Sequence, residues 1–461
     1  MASLTHALLD FGCRIVGYDK LENRQTDLLK KRGVRLFHSF EEFRKVSDLF
    51  LPEGIIYSSA IKTSPFLDWA IRNQIPIIHR AKALHELFSR KITISVAGSH
   101  GKTTTTAMIS QILFEANLDP CVMIGGESPI FHYRGGRWGE GKYAVYESDE
   151  SDGTFLHHCA DYRILTNVDE DHLDYYRTRE NVWQAFRSYV FPEKNPFLGK
   201  AKISEKSIAV IYSDDPVVKE ILQFETDKKR LIAVGSNLDP RDYYRTYSLE
   251  IRQSSSRLFS SDGFQLEFTI PFEGDHYRIN ASLAIALARE LGLPSERIRE
   301  SLCSYQGVSR RMEIVFRSHA ITLIDDYGHH PTEIRAVISA ISASRKNGTY
   351  RRTIVIFQPH RYTRTQNLYK EFAFSLRGAD VLYLLPIYSA GEEEIRGVGS
   401  EVICEELRRL GEEPVLLSGI KEKDCKTIQT ELREGDVVLT LGAGNVREWG
   451  IRLKEILTGQ M

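Results

Sequence analysis

The sequence predicts an α/β protein of three domains, each built on a mostly parallel sheet. Short apolar runs alternate with segments of helical period along the chain, which is the pattern of strands and helices in parallel sheets. The 461 residues correspond to about three domains at roughly 150 residues each. We place these domains at residues 1–90, 91–307 and 308–461.

The composition is that of an ordinary globular protein. Basic and acidic residues number 61 and 62, so no overall charge favours nucleic acid or a membrane surface as a partner. The six cysteines are far apart and form no CxxC pair, which indicates reduced thiols. No apolar stretch has the length of a membrane helix, and the N-terminal residues lack a signal-peptide pattern. We therefore expect a cytoplasmic protein, either a monomer or a homodimer.

Strands and helices of the first domain alternate. Apolar runs predict strands at Arg14–Tyr18, Gly54–Tyr57 and Pro76–His79. Helical spacing predicts helices at Leu21–Arg32 and Phe66–Asn73.

The other two domains repeat this alternation. In the second domain we predict strands at Ile92–Val96, Lys142–Glu147 and Tyr162–Asn167. We predict an alanine-rich helix at Asn280–Leu291. In the third domain we predict strands at Ala320–Ile324, Thr353–Phe357, Val381–Leu385 and Asp436–Thr440.

A glycine-rich turn with a lysine follows the Ile92 strand and precedes a helical pattern. It reads Gly98-Ser99-His100-Gly101-Lys102, followed by four threonines that begin with Thr103 and Thr104. A phosphate is favoured at such a helix N-terminus, where Lys102 would neutralise it and the Thr103 hydroxyl would bind Mg²⁺. A full Walker A loop has glycine where this chain has Val96, so a generic kinase or GTPase loop is disfavoured. The alternative is a tight turn with a helix cap.

Acidic groups and a histidine follow two predicted strands of the same domain. They lie in Glu147–Asp152 and in Asn167–His172. Because ligands bind outside the carboxyl ends of parallel strands, both segments can converge with Thr103 on one Mg²⁺-phosphate. Glu147 is either a metal ligand or a solvated carboxylate, and His172 is either a ligand or a histidine that stabilises its loop.

Two loops of the third domain carry imidazoles, a phenol and arginines. They are Asp325–Glu333 and Gln358–Thr365, each directly after a predicted strand. Arginines can pair with a carboxylate and stabilise the charge that develops in acyl transfer. The alternative is a helix N-terminus at Glu333 and a solvated arginine face.

Two further loops have weaker patterns. Gly274–Asn280 precedes the alanine-rich helix and could hold a base or ribose, although Asn280 could equally be the helix N-cap. Gly442–Asn445 follows a strand and is interpreted as a tight turn.

In combination these motifs resemble those of the Mur ligases, ATP-dependent amide-forming enzymes of peptidoglycan precursor synthesis. The resemblance is carried by Ala97–Thr106, Asp149–Leu156, Asp325–Glu333 and Phe357–Thr365, and it spans nearly the whole chain. It implies a Rossmann-like domain for the UDP-sugar, a central P-loop ATPase domain, and a Rossmann-like C-terminal domain for the amino acid.

The resemblance also implies the reaction and its residues. The muramate carboxylate of UDP-N-acetylmuramate would attack ATP to give an acyl phosphate, from which the amine of L-alanine displaces phosphate. The residues implied for catalysis are Lys102, Glu147, His172 and His329, and those implied for Mg²⁺ are Thr103, Glu147 and His172. The residues implied for ATP are Gly98, Ser99, His100, Gly101, Lys102, Thr103, Thr104, His276, Asn280, Arg311 and Asp326. Those implied for the ligated substrates are Ser58, Ser59, Tyr327, His329, His360, Arg361 and Arg364.

The chain departs from the family pattern in two places. Tyr277 stands where the family has asparagine. The chain also starts at what resembles the end of the family's first glycine-rich turn, so the first strand of the UDP-sugar domain is expected to be missing. A start codon placed too late is one explanation, and an impaired first domain is the other.

Three functions follow from these expectations. The first is ligation of L-alanine, which the sequence motifs at Asp149–Gly153 and Asp326–His330 favour. The second is recycling of a whole peptide onto UDP-N-acetylmuramate. The third is a catalytically impaired regulator that binds a nucleotide.

Overall fold

The computed structural model describes residues 1–47, 51–59, 61, 63–198, 207–223, 225–253 and 255–459. These residues divide into two compact units. The first unit comprises residues 1–270 and 279–306, and the second comprises 271–278 and 307–461. Both contain helices and mainly parallel strands, so the predicted α/β class is confirmed.

The N-terminal part of the first unit alternates helices and strands as predicted. Its elements are α1 (Ala2–Asp10), β1 (Val16–Tyr18), α2 (Arg24–Lys31), β2 (Arg35–Phe37), α3 (Phe40–Arg44), β3 (Ile55–Tyr57), α4 (Pro65–Arg72), β4 (Ile77–His79) and α5 (Arg80–Phe88). Strand β1 pairs with β2 and strand β3 pairs with β4, both in parallel register. In the described residues these pairs form two separate sheets. The Asn23 side chain accepts from two N–H groups at the start of α2, which explains where that helix begins.

A ten-stranded sheet forms the centre of the first unit. Its strands are β5 (Ile92–Ala97), β6 (Cys121–Ser128), β7 (Arg134–Arg137), β8 (Tyr143–Glu147), β9 (Tyr162–Leu165), β10 (Ile208–Tyr212), β11 (Lys228–Gly235), β12 (Tyr243–Ile251), β13 (Ser256–Phe259) and β14 (Gln265–Phe268). Its helices are α6 (Lys102–Glu115), α7 (Leu173–Tyr176), α8 (Arg179–Val190), α9 (Pro216–Gln223), α11 (Ser295–Cys303) and α10 (Asp275–Glu290), of which residues 275–278 belong to the second unit. Strand β5 lies between β9 and β8 and is parallel to both. The segments that follow these three strands therefore start at one edge of the sheet.

The start of helix α10 differs from the prediction. The helix begins at Asp275 rather than at Asn280, so Asn280 lies in its second turn and is not an N-cap. Gly274, the residue before α10, has a φ of +111°, a left-handed conformation that glycine adopts without a steric penalty. Asp275 adds a negative charge in the first helical turn, which the helix dipole favours.

A six-stranded sheet forms the second unit. Its strands are β15 (Glu313–Arg317), β16 (Ile321–Asp326), β17 (Arg352–Phe357), β18 (Val381–Leu384), β19 (Val415–Leu416) and β20 (Asp436–Leu441). Its helices are α12 (Pro331–Lys346), α13 (Tyr362–Ser375), α14 (Ser400–Arg409), α15 (Glu422–Glu431) and α16 (Arg447–Thr458). Strand β20 lies between β16 and β17 and is parallel to both, whereas the edge strand β15 is antiparallel.

The cores explain why the central strands contain almost only apolar residues. Strands β5 and β20 are covered on both faces, and Val96 and Leu439 have no exposed surface. In the second unit, Trp449 and Leu453 of α16 pack against the sheet with Ile356. The six cysteines are free thiols. No helix of the described chain combines the length and the apolar character needed to cross a membrane.

Candidate active site

The glycine-rich turn joins β5 to the N-terminus of α6, as predicted. Gly101 precedes the helix with a φ of +81°, and Gly98 has a φ of +137°. The N-cap residue of α6 is Gly101, which has no side chain to cap the helix. The first backbone N–H groups of α6 therefore receive no hydrogen bond from the N-cap residue. Such a helix start favours an anion through its N–H groups and the helix dipole.

The end of strand β9 holds this turn in place. The carboxamide of Asn167 accepts a hydrogen bond from the His100 N–H (2.8 Å) and donates one to the His100 carbonyl (3.0 Å). The Thr166 hydroxyl donates to the same carbonyl oxygen (2.6 Å). His100 Nε2 lies 3.0 Å from an Asp169 carboxylate oxygen. The sequence placed Asn167 beside the site but did not identify it as the residue that fixes the phosphate loop.

Lys102 points back over its own loop. Its ammonium donates to the carbonyls of Gly98 (2.5 Å) and Ser99 (3.1 Å) and to the Glu150 carboxylate (2.7 Å). Burial opposes the charge of Lys102, but Glu150 and Glu147 outweigh it and raise the pKa of the ammonium. Burial raises the pKa of Glu150, an effect that the charge of Lys102 opposes. Glu150 is the buried member of the acidic segment, and the sequence pattern did not distinguish it from its acidic neighbours.

Thr103 and Glu147 are in direct contact. The Thr103 hydroxyl donates to the Glu147 carboxylate at 2.9 Å, and the Gly125 N–H donates to the same oxygen at 2.9 Å. His172 precedes α7 in a left-handed conformation, and its Nε2 lies 3.7 Å from Glu150 Oε1. The structure therefore brings these predicted residues together around Lys102, with Glu150 between the lysine and the histidine.

Asn280 and Thr104 also lie at the phosphate loop. A Cβ at Gly101 would meet the Asn280 carboxamide oxygen at 2.7 Å, so Asn280 packs directly against this glycine. Thr104 is buried in the first turn of α6, and the Tyr305 hydroxyl approaches its carbonyl oxygen at 3.5 Å.

Ser59, which is expected to bind substrate, contacts the acidic segment. Its hydroxyl donates to Asp152 and lies 2.9 Å from His79 Nε2. The Asp152 carboxylate also accepts from the N–H and hydroxyl of Thr154. Ser58 precedes Ser59 after β3 and is half-buried. Ser59 therefore connects the N-terminal part of the first unit to the segment that carries Glu147 and Glu150.

In the second unit, the buried Asp326 ends strand β16. It accepts hydrogen bonds from the N–H groups of Met312 (2.8 Å) and Gly328 (2.7 Å). Burial raises the pKa of Asp326 to about 6, partly opposed by Arg311. Burial and the neighbouring Arg311 lower the pKa of His276 to about 4, so this imidazole is neutral at pH 7.

The predicted substrate residues of the second unit form one aromatic and basic cluster. The ring of His329 lies 5.3 Å from Tyr327 and 5.4 Å from His360, in edge-to-face contacts. Arg364 Nη1 lies 3.3 Å from His360 Nδ1. Arg361 precedes α13 with a φ of +70°, and its guanidinium lies 3.9 Å from Glu392. The loops that follow β16 and β17 therefore meet, although β20 lies between the two strands.

Comparisons with known proteins agree with this arrangement. Three family models match successive parts of the chain: "Mur ligase family, catalytic domain" at residues 1–92, "Mur ligase middle domain" at 96–288, and "Mur ligase, glutamate ligase domain" at 310–444. The expected three-domain organisation is confirmed, while the boundaries at 90 and 307 stay a prediction.

Individual relatives match over nearly the whole chain. The UDP-N-acetylmuramate–L-alanine ligase of Myxococcus xanthus is 36% identical over 99% of this chain and 93% of its own length. That of Chelativorans sp. is 35% identical over 99% of this chain and 96% of its own length. The crystal structure of the UDP-N-acetylmuramate-alanine ligase of Thermotoga maritima aligns with a TM-score of 0.77 at 26% identity, covering 100% of this chain and 97% of that one.

Proposed function

The chain belongs to the Mur ligase family, and we propose that it joins L-alanine to the muramate carboxylate of UDP-N-acetylmuramate with cleavage of ATP. Relatives that carry the name of this ligase match at 35–36% identity over almost the full chain. The observation that carries the proposal is the meeting of Lys102, Thr103 and Glu147 at the start of α6. This arrangement suits binding and transfer of a terminal phosphate.

The phosphate loop performs the first half of the proposed reaction. The carboxylate attacks the γ-phosphorus, the bond to the β-γ bridging oxygen breaks, and an acyl phosphate and ADP are formed. Lys102 offsets the negative charge of the phosphates, and the N–H groups at the start of α6 orient them. Asn167 keeps the loop in this geometry through its two hydrogen bonds to His100. Gly98, Ser99, Gly101 and Thr104 are proposed to contact ATP in the same loop.

Mg²⁺ is part of the proposal because the donor atoms suit it. Thr103 and Glu147 supply the oxygen ligands that Mg²⁺ prefers, and Glu150 Oε2 is buried without a hydrogen-bond partner among the described residues. Thr103, Glu147 and His172 are the residues proposed to hold the ion. When bound there, Mg²⁺ would neutralise charge on the phosphates during transfer.

The second unit is also proposed to take part in the reaction. His276, Arg311 and Asp326 are assigned to ATP, as is Asn280. In the second half of the reaction the alanine nitrogen attacks the acyl carbon, phosphate leaves, and the nitrogen loses a proton. His329 is the proposed catalytic imidazole of this step, since a neutral histidine can accept that proton.

Binding of the ligated substrates is assigned to six further residues. Arginines can pair with carboxylates, and the tyrosine and histidine rings supply flat surfaces and hydrogen-bonding groups. The residues proposed to bind UDP-N-acetylmuramate or L-alanine are Ser58, Ser59, Tyr327, His360, Arg361 and Arg364.

Domain boundaries, location and assembly belong to the same proposal. We propose a UDP-sugar domain at residues 1–90, an ATP domain at 91–307 and an amino-acid domain at 308–461. The six free thiols agree with a reducing compartment, and we propose the cytoplasm. A monomer or a homodimer is proposed, with small molecules as the substrates.

A coupled assay of ADP release tests the function. The proposal requires ADP release that depends on both UDP-N-acetylmuramate and free L-alanine, and that is absent in Lys102→Ala. Release that depends on a tripeptide instead of L-alanine would identify a peptide-recycling ligase. No release with either amine, in a folded protein that binds ATP, would identify a nucleotide-binding regulator.

A further inference from the structure

The glycine loop Gly442–Asn445 of the second unit has no role in the proposed reaction so far. It follows β20, whose neighbours β16 and β17 run parallel to it. Their carboxyl ends therefore lie at one edge of the sheet, where α/β proteins place ligand-binding loops. The loops that follow β16 and β17 carry the proposed substrate residues, so the glycine loop is their immediate neighbour.

The Gln358 side chain connects the glycine loop to the loop that follows β17. Its Nε2 donates to Asn445 Oδ1 (2.9 Å), and its Oε1 accepts from the Val446 N–H (3.1 Å). Gln358 is 6% exposed, and its own N–H donates to the Leu441 carbonyl at 3.0 Å. A buried carboxamide with partners on both its oxygen and its nitrogen fixes the relative position of two chain segments.

Close approach explains the two glycines of the loop. A Cβ at Gly442, whose φ is +142°, would lie 2.6 Å from the Gln358 carbonyl oxygen. A Cβ at Gly444 would contact Gln358 Oε1 and would lie 2.7 Å from Tyr388. A side chain at either position would therefore push the glycine loop away from Gln358 and Tyr388.

Tyr388 connects the glycine loop to His360 and Arg361, two of the proposed substrate residues. Its ring stacks on that of His360, with centroids 5.8 Å apart and planes 11° apart. Its N–H donates to the Pro359 carbonyl (2.9 Å), and its own carbonyl accepts from the Arg361 N–H (2.8 Å). A shift of the glycine loop is thus transmitted through Tyr388 to His360 and to the backbone of Arg361.

We propose that Gln358 is a positioning residue for the amino-acid half of the reaction. By holding Gly442–Asn445 against Tyr388, it fixes His360 and Arg361 where the small amino acid is bound. The inference rests on the proposed function and adds a residue to it. All of these contacts lie within the second unit, so their loss should affect the amino acid and leave the phosphate loop unchanged.

Steady-state kinetics with UDP-N-acetylmuramate, ATP and L-alanine test whether Gln358 affects the use of the amino acid and not that of ATP. Gln358→Ala loses the side-chain hydrogen bonds to Asn445 and Pro386 and the one from Val446, so we expect KM for L-alanine to rise about tenfold or more while KM for ATP stays within about twofold. Gln358→Glu keeps the acceptor for the Val446 N–H, so its KM for L-alanine should fall between those of the wild type and the alanine variant. Thr353→Val is the control, because Thr353 is buried in β17, the strand that directly precedes Gln358, and its hydroxyl has no partner in the described part of the chain.

A second variant keeps the test valid if Gln358→Ala does not fold. Asn445 is exposed, so Asn445→Ala removes its hydrogen bond from Gln358 with little risk to the core. It should raise KM for L-alanine by a smaller factor in the same direction. Equal changes in the KM values of ATP and L-alanine, or no change in either, would overturn the role of Gln358. A wild-type enzyme that needs no L-alanine would instead refute the proposed function.

Discussion

The ammonium of Lys102 and the carboxylate of Glu150 form a buried ion pair at 2.7 Å, with 14% and 3% of their side chains exposed. Both lie where a nucleotide phosphate is proposed to bind. Glu150 therefore supplies the negative charge that Lys102 requires when no phosphate is present. When ATP binds, its phosphates replace Glu150 as the counter-ion of Lys102. The stability of the protein therefore depends on the nucleotide.

Glu150→Gln is expected to destabilise the nucleotide-free protein. Removal of one partner of a buried ion pair costs about 3 to 5 kcal/mol, because the other charge stays buried. The phosphates of ATP can restore the lost negative charge. The rise in the thermal unfolding midpoint on addition of ATP should therefore be larger for Glu150→Gln than for the wild type, as differential scanning fluorimetry can measure.

Asp149→Asn is the matched control for this experiment. Asp149 is the exposed neighbour of Glu150 and carries the same charge. Its neutralisation should leave both the midpoint and the ATP-induced rise near the wild-type values. An equal response of the two variants to ATP would show that the contact with Lys102 is not the cause.

Lys102→Ala and Arg364→Ala are expected to fail in different halves of the reaction. Loss of Lys102 removes the charge that offsets the phosphates, so turnover should fall by about a hundredfold to a thousandfold or more. Loss of Arg364 should leave ATP binding intact and raise KM for one of the ligated substrates by roughly tenfold to a hundredfold. Nucleotide titration and steady-state kinetics separate the two, and equal loss of ATP affinity in both variants would contradict this division.

The sequence predicted the positions that depend on strand order. Thr103 follows strand β5 and Glu147 ends strand β8, and the parallel pairing of β5 with β8 brings them into hydrogen-bonding distance. Strand ends can be located from apolar periodicity and turn residues, and parallel pairing then places their side chains together. The meeting of His329 with His360 could not be predicted in this way, because β20 lies between β16 and β17.

The burial of individual side chains and the first residue of a helix were harder to predict from the sequence. Asp149 and Glu150 are adjacent acids, and only tertiary packing buries Glu150 beside Lys102. Asn280 was placed before a helix because asparagine is a common N-cap, whereas α10 begins five residues earlier. The role of Asn167 and the side-chain contacts of Gln358 depend on neighbours distant in sequence, which no local pattern reveals.

Gly101→Ala is expected to impair ATP binding for two reasons. Gly101 has a φ of +81°, and an L-residue in this region costs about 1 to 2 kcal/mol. The added Cβ would also lie 2.7 Å from the Asn280 carboxamide. The start of α6 must then shift, and we expect KM for ATP to rise about tenfold or more in the ADP-release assay.

Gly263→Ala separates backbone strain from the effect at the site. Gly263 has a φ of +89° in the turn between β13 and β14, and no atom lies within 4 Å of a Cβ built there. This variant should lose stability through strain while its KM for ATP stays at the wild-type value. The same KM in both glycine variants would show that Gly101 is not required at the phosphate loop.

Asp326→Asn is expected to change the pH dependence of stability. Burial raises the pKa of this carboxyl from 3.8 to about 6, so the folded state favours the protonated form. Its contribution to stability is fully present below about pH 4 and is lost as the pH rises through about 6. At roughly 1.4 kcal/mol per pKa unit the loss is about 3 kcal/mol. Denaturant unfolding of the nucleotide-free protein between pH 4 and 7.5 measures it.

The difference between the Asp326→Asn and wild-type profiles isolates this group from His276 and other titrating residues. The variant should gain stability relative to the wild type as the pH rises from 4 to 7, because an amide does not ionise. Asp262→Asn is a control of opposite sign, since hydrogen bonds from Arg289 and Ser260 lower the pKa of Asp262. The stability that this carboxylate provides is lost only as the pH falls below about 4, so between pH 5 and 7.5 its variant should be less stable than the wild type by a nearly constant amount. A pH-independent difference for Asp326→Asn would mean that the buried carboxyl does not titrate in this range.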